Sequence, residues 1–507
     1  MIKQDALREA REFETAYLPF ITDEERPAFH LTGGIGWIND PNGFAPYGGA
    51  YHLFYQYHPY ANHWGPMHWG HAKTTDFIRW ERLPVALAPD TKADRDGCFS
   101  GSALELADGR HLLVYTGVRR KRLKDGESVD SQAQCVAFGD GTEYVKYEGN
   151  PVLDEADLPE GGSGRDFRDP KVWMEEDGTL CMVVGNRASD GSGRILLYES
   201  RDALHWSFVT ILDASENVYG RMWECPDFFP LGEKQILMVS PQEMQPMGME
   251  FHAGDNTAWL IGSYDRATRK FTREHVQAID HGIDFYAPQT LLTKDGRRVM
   301  IAWMQSWASS RSVPQGARFT GEMTLPRELT MKDGRILQRP VRELEAYRGK
   351  RVLYENIPVE GGMTLAGIEG RILDMTVTVR QAVTGNPFRY FKIHLAKDGA
   401  FMTTIRYKPE TETIRVDRSR SGFPYDIVNV RDFLVRPVDG CVRLRIILDK
   451  HSLELFVGEG EQAATFMIHT PQDARAISFE SEGAAALIDV EKYELIIPQE
   501  ERKENNV

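Results

Sequence analysis

Short β-rich segments, separated by Gly, Asp, Asn and Pro turns, fill the chain from about residue 28 to residue 345. Examples are residues 51–57 (YHLFYQY), 111–116 (HLLVYT) and 235–240 (QILMVS). Helical periodicity is nearly absent from this span, and strands this short and regular are typical of a sandwich, a barrel or a propeller. This part of the chain is therefore predicted to be all-β.

A weak internal repeat favours the propeller among these three architectures. Residues 74–80 (TTDFIRW) and 199–206 (ESRDALHW) each place an Asp four residues before a Trp, at Asp76 and Asp202. A looser copy combines Asp265 with Phe271. An Asp turn followed by an aromatic residue, recurring at wide intervals, is what repeated propeller blades would leave in a sequence.

The two ends of the chain have different patterns. Apolar residues recur at helical spacing near the N-terminus, which predicts an amphipathic helix over residues 1–20. Residues 355–500 are again β-rich, and the alternation in 373–379 (LDMTVTV) indicates strands with one buried face, as in a sandwich. We therefore predict a helical extension over 1–27, a propeller over 28–345 and a sandwich over 355–500, with a polar link between the last two.

Charge and cysteine content narrow the possible partners and compartment. The formal net charge of -15 argues against nucleic acid and anionic membranes as partners. The five cysteines are scattered and form no Cys-x-x-Cys pair, which favours reduced thiols over a disulfide framework. The first ten residues are charged throughout, unlike a signal peptide, and no apolar run has the length of a membrane span. We expect a cytoplasmic protein.

Asp40 is held in the turn formed by residues 37–43 (WINDPNG). Pro41 has a fixed φ and pushes the residue before it towards extended backbone, and Asn-Gly is a strong turn signal. A nucleophilic carboxylate needs such a fixed position and hydrogen bonds that keep it ionised. Taken alone, the motif would be interpreted as an ordinary hairpin turn.

Two further carboxylates stand near prolines in the same predicted domain. Asp169 lies between Arg168 and a proline in residues 167–170 (FRDP), and Glu224 lies in residues 223–227 (WECPD). Each alone would be interpreted as a turn Asp or a surface Glu. Together with Asp40 they form the set that glycoside hydrolysis requires, in which one carboxylate is the nucleophile and another is the general acid.

These motifs resemble those of the glycoside hydrolase family 32 β-fructofuranosidases, which include invertases and sucrose-6-phosphate hydrolases. The resemblance runs in order along nearly the whole chain. It departs from the family at Ile38, where Met is frequent, and at residues 34–36 (GIG). The motifs that carry it are WINDPNG (37–43), FYQY (54–57), WGPMHWGH (64–71), FSGS (99–102), RDP (168–170), ECPD (224–227), DFYAPQ (284–289), LPREL (325–329) and DRSRSG (417–422).

The resemblance implies a five-bladed β-propeller followed by a β-sandwich, and a retaining enzyme that needs no metal or cofactor. It implies Asp40 as nucleophile, Glu224 as acid/base and Asp169 as the residue that stabilises the transition state. Its partner would be a small sugar: sucrose, sucrose 6-phosphate or a short fructo-oligosaccharide. The residues that it places around the fructosyl unit are Trp37, Asn39, Gln56, Trp64, Phe99, Ser100, Arg168, Tyr286 and Trp307.

These roles require particular charge states. Asp40 should be ionised by donors near Asn39, and Arg168 should keep Asp169 charged. Burial beside Trp223 and Cys225, with the charge of Asp40 nearby, should raise the pKa of Glu224 so that it carries a proton.

Other functions remain open at this stage. A fructosyltransferase would use the same covalent intermediate, so the carboxylates alone do not separate it from a hydrolase. A catalytically silent sugar-binding protein is disfavoured by the intact set of three carboxylates. Five histidines between residues 52 and 71 suggest a metal site, but their spacing fits no ligand pattern well. The sandwich offers a surface for a homodimer, although no residue in the sequence indicates one.

The densest positive run in this acidic chain is Arg119 to Lys124 (RRKRLK). It is predicted to lie in a loop between two strands. A charge run of this kind is usually a solvated hairpin tip. The alternative is that one or two of these side chains bind a substrate phosphate at the rim of the pocket, a task that suits the bidentate fork of Arg.

Overall fold

The computed structural model describes residues 5–122, 126–310, 316–383, 385–423 and 426–498, and most of them lie in β-strands. Within these ranges there is one α-helix, α1 (Ala6–Tyr17), followed by a 3₁₀ turn at Leu18–Phe20. The predicted N-terminal helix is therefore confirmed over its described part. It buries Ala6, Ala10 and Glu14, and Glu14 accepts a hydrogen bond from the Tyr57 hydroxyl at 2.8 Å. No helix in the described ranges is long and apolar enough to cross a membrane.

Four antiparallel blades of four consecutive strands each follow the helix, and the sheet of the first blade also includes a fifth strand from near the end of the propeller. Short turns join the strands within each sheet, so the sheets form successive blades of a propeller. Their strands are β1 (Gly36–Tyr47), β2 (Ala50–His58), β3 (His68–Thr74) and β4 (Glu81–Leu87); β5 (Gly97–Glu105), β6 (His111–Arg122), β7 (Ser128–Gly139) and β8 (Tyr144–Lys146); β9 (Gly162–Met174), β10 (Leu180–Ala188), β11 (Gly193–Ser200) and β12 (Trp206–Ala214); and β13 (Met222–Leu231), β14 (Lys234–Gln242), β15 (Ala258–Asp265) and β16 (Lys270–Ala278).

The fifth blade also closes the ring. The strands of this region are β17 (Tyr286–Leu292), β18 (Arg298–Trp303), β19 (Phe319–Thr320), β20 (Arg327–Lys332) and β21 (Arg335–Pro340). Strands β17, β18, β20 and β21 form the fifth blade. Strand β19 belongs instead to the first blade, where it pairs in parallel with β1 and Trp37 lies opposite Thr320. The predicted five-bladed propeller is confirmed.

The sequence repeat marks equivalent turns of the blades. Asp76 and Asp202 lie between the third and fourth strands of the first and third blades, and Asp265 lies at the same place in the fourth. Each carboxylate accepts backbone N–H groups two or three residues further on, at 2.8 to 3.4 Å. The aromatic residues Trp80 and Trp206 then pack inwards as the fourth strand begins. The Asp sets the turn and the aromatic residue anchors the outer strand.

The first strand of every blade has a register shift at a corresponding position. It falls between Ile38 and Pro41 in β1, and after Phe99, Arg168, Glu224 and Tyr286 in the other four blades. A proline follows in four of the five blades, because proline lacks the N–H that a regular ladder would need and is tolerated at a bulge. Bulges redirect side chains, so the X-Pro motifs of the sequence are the places where side chains leave the sheets.

A second β region follows the propeller. Its ten strands form one hydrogen-bonded assembly in which the long strand β31 pairs with β22, β23 and β24 and so joins two layers over one apolar core. This region is the predicted sandwich. Residues 348–354, which read as a polar link in the sequence, instead begin β22. The strands are β22 (Arg348–Met363), β23 (Leu373–Gln381), β24 (Tyr390–Lys397), β25 (Met402–Lys408), β26 (Thr413–Arg420), β27 (Val430–Leu434), β28 (Cys441–Leu448), β29 (Ser452–Val457), β30 (Gln462–Met467) and β31 (Ala476–Leu495), and further 3₁₀ turns are Glu155–Asp157, Arg342–Tyr347 and Pro409–Thr411.

Buried ion pairs join the propeller to the sandwich. The ring of His30, just before β1, lies between Asp449 at 2.8 Å and Glu454 at 3.0 Å. Glu454 also pairs with Arg327 of the propeller at 2.6 Å, and Arg327 pairs with Asp280 at 2.9 Å. Burial disfavours the imidazolium ion, but the hydrogen bonds that it donates to the carboxylates of Asp449 and Glu454 outweigh this effect and raise the pKa of His30 to about 10. His30 is thus a charged link between the two regions.

We expect His30→Gln to lower the free energy of unfolding by about 3–5 kcal/mol at neutral pH, because it leaves two buried carboxylates short of a partner. The pKa of His30 rises from 6.5 to about 10 on folding, so its stabilisation is complete below pH 6.5 and is lost as pH rises towards 10. Urea unfolding at several pH values measures the difference. His205→Gln, at an exposed histidine, is the control. A stability gap that stays constant up to pH 10 would contradict the charge assignment.

Candidate active site

The bulges of the first, third and fourth blades bring the three predicted carboxylates together. Asp40 comes from β1, Asp169 from β9 and Glu224 from β13. The Cys225 thiol lies 3.6 Å from Asp40 Oδ2 and 3.6 Å from Asp169 Oδ2, so one sulfur atom contacts two of the three acids. Asp40 and Cys225, 185 positions apart in the chain, thus meet at one point near the propeller axis.

Asp40 is held by side-chain donors. Ser100 Oγ donates to Oδ2 at 2.7 Å, and Asn39 Nδ2 donates to Oδ1 at 3.1 Å. The Trp37 indole N–H donates to Asn39 Oδ1 at 2.8 Å, which fixes the orientation of the amide. Burial and the charge of Glu224 raise the pKa of Asp40 to about 6, and the hydrogen bonds from Ser100, Asn39 and Cys225 oppose this rise. Asp40 is therefore ionised above about pH 6, as predicted for a nucleophile.

Asp169 has a positive φ of 66°, and its Oδ2 accepts the backbone N–H of Cys225 at 3.0 Å. Burial, followed by the charge of Glu224, raises the pKa of Asp169 to about 7, although Arg168 opposes the rise. The expectation that Asp169 stays charged beside Arg168 therefore holds above about pH 7. The physical reason for the raised pKa is the burial of three acids together, which one cation does not balance.

Arg168 directs its guanidinium at Glu224. Its Nε and Nη2 atoms lie 2.9 and 2.8 Å from Glu224 Oε1, and Nη1 donates to Asp166 at 2.9 Å and to Gln132 at 3.3 Å. A fork that donates two N–H groups to a carboxylate fixes both position and orientation. Arg168 thus joins the third blade to Glu224 of the fourth.

The other oxygen of Glu224 has two donors of its own. Gln242 Nε2 donates to Glu224 Oε2 at 2.8 Å, and the Tyr286 hydroxyl donates to the same oxygen at 2.6 Å. The indole N–H of Trp223 instead donates to the Tyr219 carbonyl at 2.7 Å. The carboxyl group of Glu224 therefore has donors at both of its oxygens, in addition to the buried neighbours Trp223 and Cys225 that the sequence indicates. The sequence signals neither Gln242 nor Gln132, because strand register alone brings them to the site.

The remaining predicted sugar-binding residues form an aromatic wall with a polar member. Trp37 and Trp307 stack at 6.4 Å between ring centroids, and Phe99 and Tyr286 pack in the same cluster. Trp64 meets Phe99 edge to face at 5.9 Å and is 42% exposed, which places it at the rim. Gln56 is buried and donates to the Cys98 carbonyl at 3.0 Å, in the strand that carries Phe99 and Ser100. The wall suits the apolar face of a sugar ring.

Four histidines of the cluster, His52, His58, His68 and His71, are buried, whereas His63 is exposed. His52 Nδ1 lies 2.9 Å from His71 Nε2, and burial lowers the pKa of His52 to about 4. Among the residues that the structure describes, no group of three or more His, Cys, Asp or Glu side chains is arranged to hold a metal ion.

Two family models match the chain. The glycosyl hydrolases family 32 N-terminal domain matches residues 30–340, and the family 32 C-terminal domain matches residues 343–494. The chain belongs to glycosyl hydrolase family 32. The resemblance found in the sequence is confirmed, and the family makes the chain a glycoside hydrolase.

Individual relatives within family 32 cover nearly all of the chain. A sucrose-6-phosphate hydrolase of Zymomonas mobilis is 38% identical and covers 88% of this chain and 87% of its own length. A raffinose invertase of Escherichia coli is 37% identical, and the match covers 91% of this chain and 94% of the invertase. A mutant β-fructofuranosidase of Bombyx mori, solved in complex with sucrose, is 32% identical, has a TM-score of 0.82 and covers 98% of this chain and 100% of that one.

Proposed function

We propose that this protein is a retaining β-fructofuranosidase that releases terminal β-D-fructofuranosyl units from sucrose, sucrose 6-phosphate or short fructo-oligosaccharides, without a cofactor. The observation that carries this proposal is the convergence of three carboxylates: the Cys225 thiol contacts Asp40 and Asp169, and the charge of Glu224 acts on both of them. The printed activities of the family 32 relatives, a sucrose-6-phosphate hydrolase and a raffinose invertase, support the substrate class.

In this mechanism Asp40 attacks the anomeric carbon of the fructosyl unit. The carbon–oxygen bond to the leaving sugar breaks as the bond to the Asp40 carboxylate forms, and water later cleaves the fructosyl-enzyme. Ser100 and Asn39 fix the plane of the Asp40 carboxylate before the substrate arrives. A nucleophile held in place in this way loses little freedom when it reacts.

Glu224 donates a proton to the leaving oxygen and removes one from water in the second half of the reaction. Tyr286 and Gln242 hold one edge of its carboxyl group, so the group has a single orientation towards the substrate. Burial raises the pKa of Asp169 to about 7 and that of Asp40 to about 6, so both of these groups change protonation state near neutral pH. A carboxylate at Asp169 stabilises the positive charge that develops on the sugar ring.

The pH dependence of kcat/KM should show an acidic limb between about pH 6 and 7, because Asp40 and Asp169 must lose their protons to act. Ser100 donates to Asp40 and lowers its pKa, so Ser100→Ala should move the limb to higher pH. Initial rates with sucrose across the pH range measure the shift. Ser207→Ala, on an outer strand, is the control. A limb that does not move in Ser100→Ala would contradict the assignment.

The basic run lies close to this site. Arg119–Arg122 are the last residues of β6 rather than a loop, which corrects the expectation, and Leu123–Asp125 lie outside the described residues. Strand pairing places Val118 opposite Gln132, whose Oε1 accepts from Arg168, so the strand extends past the active site. Arg120 and Lys121 already pair with Asp130 at 3.3 Å and Glu155 at 3.6 Å. A phosphate would have to compete with these carboxylates for Arg120 and Lys121. Exposed ion pairs contribute little free energy, so breaking them costs little.

We expect replacement of Arg119, Arg120, Lys121 and Arg122 by Ala to lower kcat/KM for sucrose 6-phosphate by about tenfold or more, since one charge-assisted hydrogen bond contributes about 1.5–3 kcal/mol. The value for sucrose should stay nearly unchanged. Arg201→Ala, at an exposed position in the third blade, controls for general loss of positive charge. Equal responses of the two substrates would show that the run has no role in phosphate recognition.

The experiment that tests the activity is release of fructose from purified sucrose and sucrose 6-phosphate by the wild-type enzyme. Absence of fructose release would overturn the hydrolase proposal and revive the silent binding protein. Analysis of products at high sucrose separates hydrolysis from fructosyl transfer, because a transferase accumulates short fructo-oligosaccharides instead of free fructose.

We also propose a cytoplasmic location, supported by five cysteines that are all free thiols, four of them buried. A homodimer through the sandwich stays a prediction that light scattering can test. Fractionation of cells followed by an activity assay would test the location.

A further inference from the structure

A cavity of about 390 Å³ opens at one end of the sandwich, far along the chain from the catalytic carboxylates. Strands β22 and β31 and the segment 367–372 form its walls. We call it the sandwich cavity. Its lining includes four basic residues and two acidic residues. The basic residues are Lys350, Arg371, Arg475 and Lys492, and the acidic residues are Glu369 and Glu494. An excess of positive charge is unexpected in a chain with a formal net charge of -15.

Lys492 occupies a position that the strand pattern assigns to the core. Along β31, alternate residues Ala486, Ile488 and Val490 are buried in the sandwich core, and Lys492 is the next on the same face. Lys492 as a whole residue is 9% exposed, and its Nζ atom donates to the Gly367 carbonyl at 3.3 Å. Among the described residues, Glu494 and Glu369 act on it through space but lie beyond ion-pairing distance. The ammonium group borders the cavity and, among the described residues, has one neutral acceptor and no carboxylate within ion-pairing distance, so it can donate to a further ligand.

The neighbouring residues leave space in front of this ammonium. Gly370 has a φ of 131°, and a Cβ atom there would lie 3.9 Å from Lys492 Nζ. A side chain at this position would therefore be strained and would also fill the approach to the ammonium group. The space is the size of a small ligand group and borders directly on Lys492.

Arg371 makes this part of the wall rigid. Its guanidinium donates to three carbonyl oxygens, those of Thr470 at 3.2 Å, Pro471 at 2.7 Å and Lys450 at 2.6 Å. These acceptors are neutral, and the carboxylates of Asp449 and Asp473 act on Arg371 only through space, without a hydrogen bond among the described residues. Arg371 is 5% exposed, and it adds a fixed positive potential to the cavity.

We propose that the sandwich cavity binds the phosphate group of a small phosphate monoester or inorganic phosphate. Lys492 Nζ contacts the phosphate oxygens, with Arg475 and Lys350 at the open side, and ammonium groups bind phosphate as point charges. The carboxylates of Glu369 and Glu494 and the amide of Gln472 are placed to accept or donate hydrogen bonds to hydroxyl groups of an attached sugar. This site is separate from the fructosyl pocket and does not depend on the proposed activity.

Isothermal titration of the full-length protein with inorganic phosphate and with glucose 6-phosphate tests the proposal. We expect binding of both, unaffected by saturating fructose, which occupies the catalytic pocket instead. Tighter binding of glucose 6-phosphate would assign hydroxyl recognition to the rim, and equal affinities would support recognition of the phosphate alone. Displacement of either ligand by fructose, or no heat with millimolar ligand, would overturn the proposal.

Two variants assign the binding to this cavity. Lys492→Met keeps the length of the side chain and removes its charge, so affinity for both ligands should fall by about tenfold or more. Arg475→Gln lies at the exposed rim, where it does not disturb the fold, and should weaken binding severalfold. Lys270→Met, at an exposed lysine of the propeller, makes the same charge change and should bind as the wild type does. Unchanged affinity in both Lys492→Met and Arg475→Gln would overturn the proposal, and urea unfolding shows that each variant is folded.

Discussion

Asp40→Asn should lower kcat for sucrose by about 10⁴-fold or more, the scale expected when a residue essential to covalent catalysis is removed. Asparagine has nearly the same shape and keeps an oxygen for the Ser100 hydroxyl. It has no negative charge, however, and does not form the fructosyl-enzyme. Steady-state rates with sucrose and a thermal unfolding curve measure both effects together.

The fold should survive this change. The pKa of Asp40 is raised to about 6 by burial and by Glu224, so a neutral group at this position relieves strain between charges. The unfolding midpoint should therefore equal or exceed that of the wild type. Asp333→Asn is the matched control, because Asp333 lies in an exposed turn with a φ of 50°, which Asn also tolerates. A loss of only about tenfold in Asp40→Asn would show that another group is the nucleophile.

Glu224→Gln should lower kcat/KM for sucrose by about 10²- to 10⁴-fold, the usual contribution of a general acid. The glucosyl oxygen of sucrose needs a proton as it leaves, and an amide cannot supply one in the required way. An aryl β-fructofuranoside with an acidic phenol as leaving group needs little protonation, so its loss should be much smaller. The ratio of the two losses measures the acid role separately from any change in structure.

The structure adds a second component to this result. Glu224 accepts hydrogen bonds from Arg168, Gln242 and Tyr286, and the amide NH₂ of Gln would face one of these donors. This contact affects both substrates alike. Glu243→Gln is the matched control, since Glu243 pairs with Arg187 at the surface and does not contact the carboxylates. Equal losses with sucrose and with the aryl substrate would contradict the role of Glu224 as acid.

Much of the active site can be recognised in the sequence alone, because its signals are local. The X-Pro motifs at Asp40, Asp169 and near Glu224 report a backbone property, since proline excludes a regular ladder and requires a bulge. The turn repeat at Asp76 and Asp202 is equally local, because each carboxylate bonds to backbone groups within three residues. The second blade contains a copy with the same spacing, Asp140 followed by Tyr144, in which Tyr stands in place of the Trp of the other copies.

Only the tertiary structure decided which charges face each other. Arg168 is next to Asp169 in the sequence, which suggests that the two side chains pair. In the structure the bulge at Asp169 turns the two side chains apart, and the guanidinium of Arg168 instead contacts Glu224, 56 positions away. Gln242 reaches Glu224 through strand register, and His30 reaches Asp449 across 419 positions. The raised pKa values of Asp40 and Asp169 also come from the tertiary structure, which buries both groups near Glu224. Burial and Coulomb energy depend on distances through space, whereas proline, glycine and Asx turns act on the backbone beside them. The sequence by itself therefore determined where the three candidate carboxylates lie along the chain, and the tertiary structure determined their charges and partners.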